Sequence, residues 1–116
     1  MIHQYQWGLV DVELNPTRGS EQAGRRPALV VSNEPFNQAM PVLTILPLTA
    51  TERQLYPAEV FLPKHSAGQR ADSIIMAHQM RTVSKQRVRG ILGYLSDPLL
   101  RQQVRRALRE HLALGE

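Results

Sequence analysis

Three arginines crowd one polar stretch, Asn15-Pro16-Thr17-Arg18-Gly19-Ser20-Glu21-Gln22-Ala23-Gly24-Arg25-Arg26-Pro27. A guanidinium forks onto phosphate oxygens, so a loop that presents several of them between rigid strands reads as an anion site, with nucleic acid the obvious anion. Other chemistries lack their residues. His3, His65, His78 and His111 are scattered and form no HExxH pattern. No glycine-rich phosphate loop, GxSxG elbow or GxGxxG fingerprint is present. The absence of cysteine excludes a disulfide framework, a thiolate zinc site and a cysteine nucleophile. What remains is a metal-free, cofactor-free inventory of arginine, hydroxyl and amide groups, and it suits one phosphoryl reaction. RNA carries its own nucleophile, the 2′-OH, beside each phosphodiester. A protein that orients that hydroxyl and stabilises the crowded phosphorane needs neither metal nor covalent intermediate.

The chain of 116 residues is long enough for one domain, 1–116, and not comfortably two. Lys plus Arg is 14 against 10 Asp plus Glu, a formal charge of +4, and only Lys64 and Lys85 are lysine. That bias fits phosphate recognition, although genome composition produces the same bias. The first residues lack the basic and apolar regions of a secretory signal, and no apolar run approaches a membrane span. A soluble cytoplasmic protein is expected.

The elements that must position the loop are short strands. Residues 7–14 read as the first, with Val10, Val12 and Leu14 on one face and Asp11 and Glu13 on the other. The loop to Pro27 exceeds the two to five residues or so of a usual hairpin connection, and long ordered loops tend to carry function. Residues 27–32 form the second strand. Asn33 to Asn37 is a turn or short helical loop. Residues 42–49 form the third strand, whose end Pro47 should place at a sheet edge or bulge. A polar loop over 50–57 leads to a short strand at 58–62, and 64–70 reads as a turn. Residues 72–83 read as one long strand, 84–86 as a single helical turn, and 88–95 as the last strand. One helix is clear: Asp97 caps it, Pro98 opens it, and Leu100, Val104, Ala107, Leu108 and Leu112 share a face. Arg101, Arg105 and Arg109 form a polar face, read as solvated, with an acidic partner or nucleic acid as the alternatives. Six strands and a helix predict a small, strongly curved antiparallel sheet.

The run from Leu14 to Ser32 resembles the signature of the MazF/PemK toxins, sequence-specific endoribonucleases of toxin–antitoxin systems. The likeness continues through Leu46-Pro47-Leu48-Thr49 and through 72–87, and so spans nearly the whole chain. Where that family commonly opens with Arg-Gly-Asp, this chain has Gln6-Trp7-Gly8. The resemblance implies a mainly β, SH3-like antiparallel half-barrel with a C-terminal helix, shared with the CcdB gyrase poisons. It implies a homodimer acting on single-stranded RNA, silenced by an acidic MazE-like antitoxin. Operator DNA is expected only as a toxin–antitoxin complex. The family's catalytic arginine and threonine fall, by position, on Arg26 and Thr49.

Each assignment has a plainer counterpart. Arg26 would stabilise phosphorane charge and could donate a proton to the 5′-oxygen leaving group, or would merely brace the loop. Thr49 would hold a phosphate oxygen, or merely cap the next turn; Thr51 is the competing hydroxyl. Thr17, Arg18 and Arg25 are expected at the RNA backbone, and Glu21 and Gln22 at base edges or in loop stabilisation. His78, Gln79 and Arg81 are further RNA-contact candidates, and a neutral His78 is also a candidate general base. Asp72 and Ser73 more simply start a strand and pin a turn. Trp7 and Tyr94 could stack bases, but core use is the simpler role. The competing function is a non-enzymatic gyrase poison or nucleic-acid-binding module of the same fold.

Overall fold

A computed structural model describes residues 2–15, 19, 21 and 24–115. Among these residues, seven strands form one antiparallel, bent sheet: β1 Gly8–Glu13, β2 Arg25–Val30, β3 Val42–Thr49, β4 Glu59–Leu62, β5 Ser73–Met76, β6 Arg81–Ser84 and β7 Val88–Tyr94. The order is β4-β5-β3-β2-β1-β7, with β6 also paired to β3. Two helices join it, α1 Glu34–Ala39 and α2 Pro98–His111. The half-barrel architecture expected from the sequence is what forms.

Alternation along the strands sends side chains to two apolar clusters. Leu9, Leu29, Leu46, Leu48, Val60, Leu62 and Ile75 pack with Val104 and Ala107 of α2. Val10, Val12, Leu14, Ala28, Val30, Leu43, Ile45 and Val83 fill the opposite side.

Three expectations about β structure need correction. The stretch 72–83 is two strands, because β5 pairs with the end of β3 (Leu48↔Ile75, Thr49↔Ile74) while β6 pairs with its beginning (Val42↔Ser84 to Ile45↔Arg81). A 3-10 turn over Ala77–Gln79 moves the chain between those two stations. Pro47 sits inside β3, not at a sheet edge. Thr44 directs both its N–H and its carbonyl at the β2 side, to Ser32 Oγ and from Val31 N. Three residues on, the proline nitrogen faces the other side, in the gap between β6 and β5, where no ladder bond is lost. Finally, β2 begins at Arg25, not Pro27, so Arg25 and Arg26 belong to a strand, paired with Glu13 and Val12.

The short helical loop is α1, capped by Asn33, which accepts from Phe36 N at 2.8 Å. Glu34 ties it to the N-terminal segment by accepting from the amides of Tyr5 and Gln6. In α2, Asp97 Oδ1 accepts from Leu99 N at 2.8 Å, the cap expected. The helix ends before Leu112, which is therefore exposed and not core. The arginine face of α2 is also not simply solvated. Arg101 and Arg105 both lie 5.1 Å over the ring of buried Trp7, and Arg101 Nε donates to Leu95 O at 2.6 Å. Cation–π attraction and a backbone carbonyl hold them against the sheet. Tyr94 donates its hydroxyl to Gln4 O.

Candidate active site

The β2–β3 register pairs Ala28 with Pro47. Carried two residues further, it sets Arg26 across from Thr49. Thr49 pairs with Ile74, and Ile74 with Phe61. A row Arg26–Thr49–Ile74–Phe61 thus crosses four strands on one face. It continues the face of Ala28, Val30 and Ile45, so the site starts where the second apolar cluster ends.

Arg26 and Thr49 line one cavity of about 200 Å³, together with Gln69, Arg70 and Ser73. Ala50, Ala71 and Ser73 also line a larger cavity of about 490 Å³ that reaches Thr51, Arg53, Leu55 and Phe61. Sharing these residues, the two make one groove, cationic at the Arg26 end, with Leu55, Phe61 and Ile74 beside Glu52, Arg53 and Asp72 at the other. Thr49 is buried; its Oγ1 donates to Thr51 Oγ1 at 3.1 Å and accepts from Thr51 N at 3.3 Å. It holds the start of the next segment through Thr51, close to the plainer reading, and the residue also lines the cavity.

The other candidates divide. Arg25 alternates to the face opposite Arg26 and is exposed, its Nε 2.7 Å from Asp11 Oδ2. Thr51 lies in the larger cavity. Glu21 is exposed in the loop. Thr17, Arg18 and Gln22 lie outside the described residues. Arg81 Nη1 donates to Leu14 O at 3.3 Å, and Arg87 Nη1 donates to Glu13 O and Asn15 O, so both grip the base of the β1–β2 loop. Gln79 is half-buried on the 3-10 turn.

His78 lines neither cavity. Its Nε2 lies 2.9 Å from Glu59 Oε2, a carboxylate with no exposed side-chain surface. Arg53 holds the same carboxylate bidentately, at 2.7 and 2.8 Å, and Tyr56 N donates to it at 2.7 Å. Burial pushes the Glu59 carboxyl up, but the hydrogen bonds from Arg53, Tyr56 N and His78, with the charge of Arg53, outweigh it and hold it at about 2. A carboxyl depressed from 4.5 to about 2 adds stability that is complete above about pH 4.5 and is lost as pH falls toward 2. The acid limb of the unfolding curve is therefore expected to flatten in Glu59→Gln, read by circular dichroism across that window; an unchanged acid limb would refute the depressed carboxyl.

Sequence reasoning missed Gln69 and Arg70. Buried Gln69 donates to Leu62 O and Pro63 O and accepts from Ala67 N, which sets the turn and delivers Arg70 to the cavity. The only signal was an arginine following Gly68, whose φ of +97° fits a tight turn. Ser73 does pin a turn, donating to Ala71 O, as expected, and also joins the two cavities.

The same sequence is similar to known proteins. Endoribonuclease MazF9 of Mycobacterium tuberculosis is 35% identical over 108 residues, covering 89% of this chain and 91% of that protein. Endoribonuclease EndoA of Bacillus subtilis is 35% identical over 103 residues, covering 88% of each. The solved MazE-MazF structure (Form-II) from Deinococcus radiodurans superposes with a TM-score of 0.76 at 27% identity, covering 99% of this chain and 100% of that one. The family described as PemK-like, MazF-like toxins of type II toxin-antitoxin systems matches residues 5–112, and the chain belongs to that family.

Proposed function

We propose that this chain, as a single domain, is a sequence-specific endoribonuclease that cleaves single-stranded mRNA by attack of the substrate's own 2′-OH. The observation that carries this reading is Arg26 and Thr49 side by side in one cavity. The 2′-oxygen–phosphorus bond forms as the phosphorus–5′-oxygen bond breaks; the 2′-hydroxyl gives up its proton and the 5′-oxygen takes one up, leaving a 2′,3′-cyclic phosphate and a 5′-hydroxyl. Arg26 donates N–H groups to the phosphorane oxygens, where charge accumulates. A guanidinium carries only N–H donors and no acceptor, so Arg26 does not serve as base. Thr49 fixes a phosphate oxygen, and Arg70 adds a second cation at the same end. Thr51 and the Phe61 end of the groove take a neighbouring nucleotide. Thr17, Arg18, Glu21, Gln22, Arg25, His78, Gln79 and Arg81 remain RNA-contact candidates, of which Arg81 acts first by holding the loop. A gyrase poison needs no arginine–threonine pair.

The relatives named endoribonucleases support the activity, and the MazE-MazF structure supports a MazE-like antitoxin as partner. An acidic antitoxin suits a toxin of charge +4. We infer further that the toxin is a homodimer, meets operator DNA only with its antitoxin, and works in the cytoplasm, where mRNA is. Among the described residues, no helix is long and apolar enough to cross a membrane.

Metal removal is the direct test. Cleavage of a single-stranded RNA is expected to proceed at an unchanged rate in excess EDTA, with fragments that acquire a 5′-label from polynucleotide kinase without prior phosphatase. Abolition by EDTA, or 5′-phosphate ends, would reject the mechanism.

A further inference from the structure

Residues 50–58 connect β3 to β4 without regular structure, yet they carry Thr51, Arg53 and Leu55 into the groove. Most of the segment is exposed. A connection with so little packing of its own needs a fixed point to hold one shape. Its start is held by the Thr49–Thr51 pair, and its end by Ala77 N donating to Ala58 O at 3.1 Å. Between those ends, the bonds converge on Glu59. Arg53 reaches it with two N–H groups and Tyr56 with its amide, and the Arg53 guanidinium lies 4.0 Å over the Tyr56 ring. The same Arg53 donates to Gln54 O at 3.0 Å. Strand alternation puts Glu59 on the same face of β4 as Phe61; Glu59 itself lines neither groove cavity and borders a separate one beside α2, so it reaches the groove only through Arg53.

We propose that Glu59 is a positioning residue: its buried carboxylate anchors the 50–58 segment through Arg53 and Tyr56 and so shapes the wall of the groove that receives the nucleotide beside the scissile phosphate. The role in substrate binding rests on the nuclease reading; the anchoring does not. Because Glu59 neutralises Arg53, and Glu52 and Asp72 line the same cavity, that wall presents no net positive charge, and with Leu55, Phe61 and Ile74 it suits a base more than a phosphate. His78 completes the knot from the 3-10 turn and ties the wall to the β5–β6 junction. A buried carboxylate stripped of its guanidinium is costly, so the knot is closed in only one arrangement.

Two measurements on Glu59→Gln, with Arg53→Gln as the variant that cuts the same clamp from its more exposed side, test this. Hydrogen exchange of the free protein at pH 7 is expected to show the amides of 51–57 exchanging at least about tenfold faster, with those of β3 and β5 unchanged. Steady-state cleavage is expected to show KM raised about tenfold and kcat within about threefold, the signature of lost binding and not of lost chemistry. The double variant should raise KM no further than either single one, because both cut one clamp. Unchanged loop exchange overturns the anchor. A loosened loop with unchanged KM, or a kcat loss as deep as that of an arginine at the reacting phosphate, overturns the positioning role. A wild-type chain that cuts no RNA while Glu59→Gln still loosens the loop sinks the nuclease reading and keeps the anchor.

Discussion

Replacing Arg26 by alanine is expected to slow single-turnover cleavage of single-stranded RNA by about 10²–10³-fold or more, the loss typical of one preorganised donor at a centre where charge develops. The fold should survive, because Arg26 is half-buried at the rim of a cavity and belongs to neither apolar cluster. Equal circular dichroism and an equal urea midpoint would establish that. Arg26→Lys should recover little, since an ammonium lacks the planar fork that grips two phosphate oxygens. The position on β2 matters here: a residue paired with Val12 of β1 is held more tightly than one in a loop would be. Activity of the alanine variant within about tenfold of wild type would remove this cavity as the reaction centre.

The largest effect on stability is expected from Ile75→Ala. Ile75 has no exposed surface and stands in the row Leu48–Ile75–Val60, flanked on both sides by paired strands and packed in the cluster beneath α2. Deleting its branches leaves a cavity that three hydrogen-bonded strands cannot close by moving. The cost should be about 2–5 kcal/mol, a large share of the roughly 5–15 kcal/mol that small domains possess. Urea unfolding checks it through a lower midpoint at unchanged slope. A loss below about 1 kcal/mol would mean that the site relaxes and that the cluster is loosely packed.

Periodicity made the apolar architecture legible. Val10, Val12 and Leu14 share a buried face as their spacing required, and Asp97 with Pro98 marked the start of α2. Spacing cannot show which partner a strand takes. Residues 72–83 have strand composition throughout, and only the division of β3 between β5 and β6 explains the turn at Ala77–Gln79. Pro47 misled for the same reason: proline is excluded by a lost ladder bond, and the register removes that bond in advance. In the candidate site, the resemblance alone singled out Arg26 and Thr49, 23 positions apart with nothing local to join them, and both line one cavity. Arg70 was illegible because its placement depends on a buried amide contacting three backbone groups. Glu59 was overlooked because a glutamate opening a short strand looks like any surface carboxylate until its three partners, Arg53, Tyr56 and His78, are seen.

The molecule also contains its own optical reporter. Trp7 is the only indole in the chain, and it is sealed beneath two guanidinium groups of α2. It stands just before β1, whereas Val12, near that strand's far end, pairs with Arg26. Five residues of extended chain span about 17 Å. Emission from this fluorophore should therefore register α2 lifting from the sheet and stay silent when an oligonucleotide occupies the groove. Quenching or a spectral shift on oligonucleotide addition would reveal that the two ends of the strand communicate.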